Sequence, residues 1–173
     1  MRQGYRQTGN LATIQTSLSS DALLVTELQA RECLSEPFLV QLQLKSENAN
    51  IDAGTLLGQK VTVSISLSNG SQHFFHGIFK SFGLEAIDAA AAHYTAEVVP
   101  ELWRMELDRD RRIFQNVSVV EIIEQYLQHH SIVFEKRLIG VYRSREYCVQ
   151  YDESPLHFLS RLMQEEGIWY FFK

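Results

Sequence analysis

Proline and cysteine are scarce in this chain, and no long apolar run interrupts it. Three prolines and nine glycines in 173 residues exclude collagen-like and low-complexity architectures. The two cysteines, Cys33 and Cys148, lie outside any C-x-x-C or nucleophile-elbow setting. They read as buried, reduced thiols of a cytoplasmic chain, not as a disulfide framework. No stretch approaches the ~20 apolar residues that span a bilayer, so stable membrane insertion is not expected. The opening MRQGYRQTGNL holds no apolar signal core, so export would follow a route without a cleaved signal. Lys and Arg form no basic face and the formal net charge is −5, which argues against a nucleic-acid partner. The densest charge run, Asp108–Arg112, alternates in sign and reads as a solvated edge or an ion-pair ladder.

The motifs of common chemistries are missing too. There is no G-x-S-x-G elbow, phosphate-binding glycine loop, dinucleotide fingerprint or H-E-x-x-H pair. His73 and His76 fall on opposite faces of a predicted strand and cannot share a metal. His129 and His130 end a predicted helix, where positive charge suits the dipole, and His93 and His157 are isolated. The acid pairs Asp152-Glu153 and Glu165-Glu166 lack the spacing of glycosidic chemistry and read as solvated surface. No catalytic, cofactor or metal residue is therefore assigned. A hydrolase with scattered catalytic groups stays open as a minor alternative.

What is present is strand pattern, then helix pattern. A chain of this length is one domain or slightly more and buries roughly 70% of its unfolded surface. LATIQTSL, ALLVTELQAREC and PFLVQLQLKS read as strands, the last alternating Phe38, Val40, Leu42 and Leu44 with Leu39, Gln41, Gln43 and Lys45. Asp52 caps a short helical turn closed by Gly58. In KVTVSISLSNGSQHFFHGIFKSFG, Val61, Val63, Ile65 and Leu67 share a face. Asn69-Gly70 predicts a two-residue hairpin turn with positive φ at both positions. Gly77 predicts a bulge or bend that curls the sheet. An exposed Ala-rich loop follows, and then Tyr94, Ala96 and Val98 share a face. Closely spaced strands without a long helix favour an antiparallel barrel or sandwich.

After residue 111 the period changes, placing a boundary near 105–115. RIFQ ends a strand. Ser118 and Glu121 form a capping box opening a helix whose stripe is Val120, Ile123 and Leu127, widened by Val119, Ile122 and Tyr126. IVFEKRL and SREYCVQYD read as strands. Ser154 and Pro155 open a second helix with stripe Leu156, Leu159, Leu162 and Met163, ended by Gly167. IWYFFK begins another strand with no successor, so an N-terminal fragment of a longer protein is expected. Aromatic residues make up 11% of the chain. Sitting in strands, they suit a core or a subunit contact, with a sugar-stacking or base-stacking platform as the alternative.

The segments SEPFLVQLQL, LLGQKVTVSI, HFFHGIFKSFG, LWRMELDRDRRIFQNVSVVEIIEQYL and REYCVQYDESPLHFLSRLMQEEGIWYFF together resemble the VgrG family. These are spike proteins of bacterial type VI secretion, related to contractile-phage baseplate hubs and to Vgr proteins of Rhs elements. The specific block runs from Arg145 and Tyr147 through Gln150, Tyr151, Glu153 and Ser154 to Phe158, Arg161, Leu162 and Glu165–Ile168. Pro155 stands where family members often carry an acidic residue.

The resemblance implies a mainly β hub: a small antiparallel barrel over 1–105, then the start of a second mixed α/β region over 106–173, with two helices and about three strands. It implies a homotrimer docking on the hexameric Hcp tube, contacting baseplate components and effectors and carrying the spike. It implies synthesis in the bacterial cytoplasm and export through the apparatus without a cleaved signal. No enzymatic role and no cofactor follow from it. The motif residues then act as scaffold: Ser118, Glu121 and Ser154 as caps, Gly77 and Gly167 as hinges, Phe158, Leu162 and Trp169 as core, with Tyr147, Gln150, Tyr151 and Arg161 in the signature. The rival reading is a β-barrel module that binds a glycan or small ligand.

Overall fold

Alternating apolar residues build a six-stranded antiparallel sheet in the first part of the chain. The computed structural model describes Arg6, Gln7 and residues 9–173. Most of the N-terminal stretch read as lacking a signal core therefore lies outside the described residues. The chain divides into two units. One holds residues up to Cys33, Pro37–Pro100 and Lys173, and the other holds Leu34–Glu36 and Glu101–Phe172.

The first unit contains β1 (Ala12–Gln15), β2 (Leu24–Arg31), β3 (Leu39–Ser46), β4 (Lys60–Ser66), β5 (Gln72–Ile87) and β6 (Ala92–Val99). Their order in the sheet is β1-β4-β5-β6-β3-β2. Strand β3 alternates as expected, with Val40, Leu42 and Leu44 buried and Gln41 and Gln43 exposed. Val61 and Val63 of β4 are buried, but the face fades toward the turn, where Leu67 is exposed. The sheet curls until Cα atoms of the edge strands β1 and β2 come within 8 Å, without a hydrogen-bonded ladder joining them. The curl has a source in β5. This 16-residue strand slips register against β6 between Phe79 and Ser81 and again between Leu84 and Ala86, and each bulge bends it. Buried Tyr94 ties the loop after β3 to the core, its hydroxyl donating to Asn48 O (2.8 Å) and accepting from Ile51 N–H (3.3 Å).

Two turn expectations change. Of Asn69 and Gly70 only Gly70 has positive φ, +82°. The loop is Ser68–Gly70, closed by Leu67 N–H to Ser71 O (2.8 Å) and Gly70 N–H to Leu67 O (2.9 Å). The Asn69 carboxamide oxygen accepts from Ser71 N–H (3.0 Å) and Ser71 Oγ (2.7 Å), an Asx turn that selects this wider loop. Gly77 carries no bulge: it pairs in register with Val61. The reason for glycine is a close approach, since a Cβ there would lie 2.2 Å from Val99 O. Cys33 is exposed, not buried; Cys148 is buried.

The second unit begins with a 3-10 turn, Glu101–Glu106. It continues with β7 (Asp110–Phe114), α1 (Val119–His129), β8 (Cys148–Glu153) and α2 (Pro155–Glu165). Strands β7 and β8 form a two-stranded antiparallel sheet. Its core joins Leu102, Met105, Val119, Ile122, Tyr126, Phe158, Leu159 and Leu162. The central stripe of α1 is thus Val119–Ile122–Tyr126, with Ile123 and Leu127 at its margin, the reverse of the expected emphasis. Helix α2 buries its expected stripe and adds Pro155 and Phe158.

Two predicted strands are not strands. Residues 132–138 pair with nothing in a ladder, and Val133 is 97% exposed. The segment is tied to α1 by Ile132 N–H to Leu127 O (2.8 Å) and by Lys136 to Glu124, and farther on the chain is held by Arg145 N–H to Val117 O (2.9 Å). Strand structure in SREYCVQYD begins only at Cys148. Residues 168–172 also form no ladder. They hold alternation all the same: Ile168, Tyr170 and Phe172 pack on the core. Trp169, expected in the core, is 62% exposed because it occupies the outward phase and stacks on Phe171 (5.9 Å). Within this unit Ser35 N–H donates to Tyr170 O (2.9 Å).

The Gly77 contact makes a sharp prediction. G77A should destabilise the chain by about 3 kcal/mol or more, because a backbone must move. G83A, whose new Cβ meets nothing within 4 Å, should change stability by only about 0.5 kcal/mol. Urea unfolding followed by circular dichroism separates the two. A second prediction concerns Asp88. Its carboxylate accepts from the His93 ring (2.8 Å), Ala91 N–H (2.8 Å) and Ala90 N–H (2.6 Å), and these bonds hold its pKa down at about 2. A depressed carboxylate stabilises the fold above its unfolded pKa and stops doing so as pH falls through the folded one. D88N should therefore be less stable than wild type at neutral pH and converge with it as pH falls toward about 2.

Candidate functional site

The signature block gathers at the junction of β8 and α2. Gln150 points inward from β8 and is fully buried. Its side-chain oxygen accepts from the Tyr126 hydroxyl, and its amide donates to Glu153 O (2.9 Å). A buried amide satisfied on both sides fixes strand and helix together, since leaving either group unpaired is costly. Burial pushes the Tyr126 phenol up to about 12. Phe158 lies beneath, 5.9 Å from the Tyr126 ring and 5.8 Å from Phe114.

Ser154 follows β8 and caps α2. Its Oγ accepts from His157 N–H (3.1 Å) and donates to Glu106 (2.8 Å), with Pro155 in the first turn. Gly167 takes φ +67° and ends α2, with Ile168 N–H donating to Met163 O (2.8 Å). At the head of α1, Ser118 and Glu121 form the predicted reciprocal box. Bonds from the Ser118 N–H and then its hydroxyl lower the Glu121 pKa.

Around this junction runs a chain of charges. Arg161 donates to Glu153 (2.7 Å), Glu165 (3.2 Å) and Val149 O (3.3 Å) and lies over the Phe158 ring (5.4 Å). Glu153 also meets His157 (2.8 Å). Arg145 reaches Glu165 (2.7 Å) and Glu166 (2.6 Å). Glu153, Glu165 and Glu166 are thus ion-pair partners; Glu165 is exposed, as a solvated-surface reading expects, while Glu153 and Glu166 are partly buried. Partial burial raises the Glu153 pKa, but hydrogen bonds from Arg161 and His157 outweigh it, and the carboxyl sits below its ordinary range. Bonds from Arg145 lower Glu165 likewise. The signal was in the spacing: Arg161–Glu165 and Glu153–His157 are i, i+4 pairs. The Asp108–Arg112 ladder also forms, with Arg111 meeting Asp152 (3.6 Å) and Arg112 meeting Asp110 (2.5 Å).

Other signature residues face away from the junction. Tyr151 is 70% exposed beneath Arg111 (5.2 Å), and Tyr147 and Ile113 are exposed as well. Trp169 is outward, and Gly77 belongs to the first unit. Sequence reasoning missed Glu106, and it named Tyr126, Arg145 and the acids without their bonding roles: the Tyr126 hydroxyl on Gln150 and the arginine partners of the acids. No group of three or more His, Cys, Asp or Glu side chains is placed to hold a metal among the described residues. A groove of about 540 Å³ in the first unit is lined by Asp21, Ser46, Asn48, Asn50 and Asp52 among others, and by no aromatic ring. No helix among the described residues is long and apolar enough to cross a membrane.

The arrangement is a mechanical joint, and it predicts its own failure. Y126F, which strips Gln150 of its buried donor, should cost about 1–2 kcal/mol in urea unfolding. R161M should cost about 1 kcal/mol, its pairs being partly exposed. R161M should also flatten the acid limb. The lowered Glu153 and Glu165 carboxyls stabilise the fold above their unfolded pKa values, and that stability is lost as pH falls through the folded ones. An acid limb unchanged by R161M would contradict the clamp.

Residues 31–173 match the family model for the phage tail baseplate hub (GPD). The type VI secretion system spike protein VgrG1a of Pseudomonas aeruginosa is 40% identical over 96% of this chain, and VgrG1b of the same organism is 36% identical over 96%. The chain spans 26% and 23% of their lengths. A solved structure of the E. coli c3393 protein superposes with TM-score 0.74 at 28% identity, covering 87% of this chain and 45% of that one. That protein is described as a component of the type VI secretion system with structural similarity to the T4 bacteriophage tail proteins gp27 and gp5. The 43 kDa tail protein of prophage MuSo2 from Shewanella oneidensis shares the fold at TM-score 0.57 and 16% identity, over 81% of this chain and 47% of that one. With a curled antiparallel sheet, a clamped strand–helix joint and these matches together, the chain belongs to the phage tail baseplate hub family and, within it, is a relative of the VgrG spike proteins.

Proposed function

We propose that this chain is hub material of a type VI secretion apparatus, a structural and non-enzymatic part of the tip that docks on the tube and carries the spike. The observation that supports it most is the 40% identity to a type VI spike protein over 96% of the chain, together with a signature block whose side chains serve packing and clamping. The first unit then acts as the first hub barrel and the second as the start of the next hub region. The working assembly is a homotrimer seated on the hexameric Hcp tube, in contact with baseplate components and effectors. Force from contraction spreads over symmetric, repeated contacts, a task for which a satisfied buried network and tight backbone packing are suited. The protein is made in the bacterial cytoplasm and leaves through the apparatus itself, with no cleaved signal and no cofactor. The glycan-binding alternative is not favoured, since the groove described above presents no aromatic ring.

The test is genetic. In a strain carrying a type VI apparatus and no other VgrG gene, deleting the region encoding this chain from its gene should abolish appearance of Hcp in the medium. The intact gene should restore it, and the Y126F/R161M double variant should restore it poorly. Normal Hcp release from the deletion strain would overturn the proposal.

A further inference from the structure

We propose that Asn69 is a self-modifying site, where the chain deamidates at the β4–β5 turn with help from Ser71. The turn is exposed throughout, from Ser66 to Gln72. Asn69 is followed by glycine, whereas Asn10, Asn48, Asn50 and Asn116 are followed by Leu11, Ala49, Ile51 and Val117. A side chain on the following residue shields its amide nitrogen and restricts its backbone; Gly70 has neither hindrance. Nothing lies within 4 Å of the position a Cβ would take at Gly70, so no neighbouring group crowds that side of the residue.

The Asx turn adds the chemistry. Two donors, Ser71 N–H (3.0 Å) and Ser71 Oγ (2.7 Å), converge on the Asn69 carboxamide oxygen. They keep the carboxamide folded over the backbone that follows it. They also stand where negative charge develops when a nucleophile adds to Cγ, the geometry of an oxyanion site. One bond opposes the reaction: Gly70 N–H donates to Leu67 O (2.9 Å). It lies at an exposed hairpin tip, where opening is local and does not require global unfolding.

Base removes the Gly70 N–H proton, and a bond forms between that nitrogen and Asn69 Cγ. The oxyanion collapses, the Cγ–Nδ2 bond breaks, and ammonia leaves after taking a proton from water. The five-membered imide then adds water at either carbonyl, giving aspartate or isoaspartate at position 69. Each product carries a new negative charge, and the second also lengthens the backbone inside the loop closed by Leu67 and Ser71. The turn would then loosen with age at one tip of the first unit.

The experiment incubates the folded chain at mildly alkaline pH and physiological temperature. It follows the mass gain of amide-to-acid conversion in tryptic peptides, Asn69 lying in the peptide released between Lys60 and Lys80. Conversion at Asn69 should outpace that at each of the other four asparagines by about tenfold or more. S71A should slow it by about threefold, one of two donors being lost in an exposed setting, and N69Q should abolish it; circular dichroism checks that both variants fold. The proposal is overturned if Asn69 converts no faster than the other asparagines, if it converts only after urea unfolds the chain, or if S71A reacts as fast as wild type.

Discussion

Where β8 turns into α2, the Val149 carbonyl and the Glu153 carboxylate come against the helix flank that also carries Glu165, and these negative groups call for a shared donor. Arg161 supplies this at the β8–α2 reversal, reaching Glu153, Glu165 and Val149 O at once while its guanidinium rests on Phe158. The planar fork of arginine suits this better than the point charge of lysine. Beneath it the Tyr126–Gln150–Glu153 chain closes the same reversal from inside, out of reach of salt. The joint therefore has two layers, an outer one that ionic strength weakens and an inner one that it does not. Helices α1 and α2 and the 3-10 turn at Glu101–Glu106 all pack around it.

The first unit is organised by a different constraint, the bending of one long strand. Strand β5 spends its first half on β4 and its second on β6, and its two register slips turn the sheet between them. A single strand that serves two neighbours makes the curl a property of the sheet itself and not of the loops. The capping and turn residues then have little freedom to redirect it.

Legibility in the sequence followed the range of the physics. Caps act over three or four residues, so Ser118–Glu121, Ser154–Pro155 and Gly167 were readable in place. Burial with period two was readable for β3, β4 and β6. What failed needed a partner from elsewhere. Residues 132–138 have strand composition but no neighbour to pair with, and composition alone does not supply one. The family resemblance implied a core role for Trp169, whereas the phase set by Ile168, Tyr170 and Phe172 turns it outward. The Arg161–Glu165 pair was readable from its i, i+4 spacing, whereas Arg161 reaches Glu153, and Arg145 reaches Glu165 and Glu166, only through folding. The wider loop at Asn69 was hidden by a side-chain bond to Ser71 that competes with the two-residue turn. Resemblance to a family carried the functional reading where local chemistry offered none.

Gly77 was marked for the wrong reason, and the right one reaches further. A tight contact between side chains leaves room for compensation, since trimming one partner can admit a larger neighbour. At Gly77 the opposing atom is the Val99 carbonyl oxygen, which every amino acid carries. No exchange at position 99 can make space, so drift at 77 has no partner to drift with. That lineage constraint follows from one main-chain oxygen and would persist whatever happens to the surfaces around it.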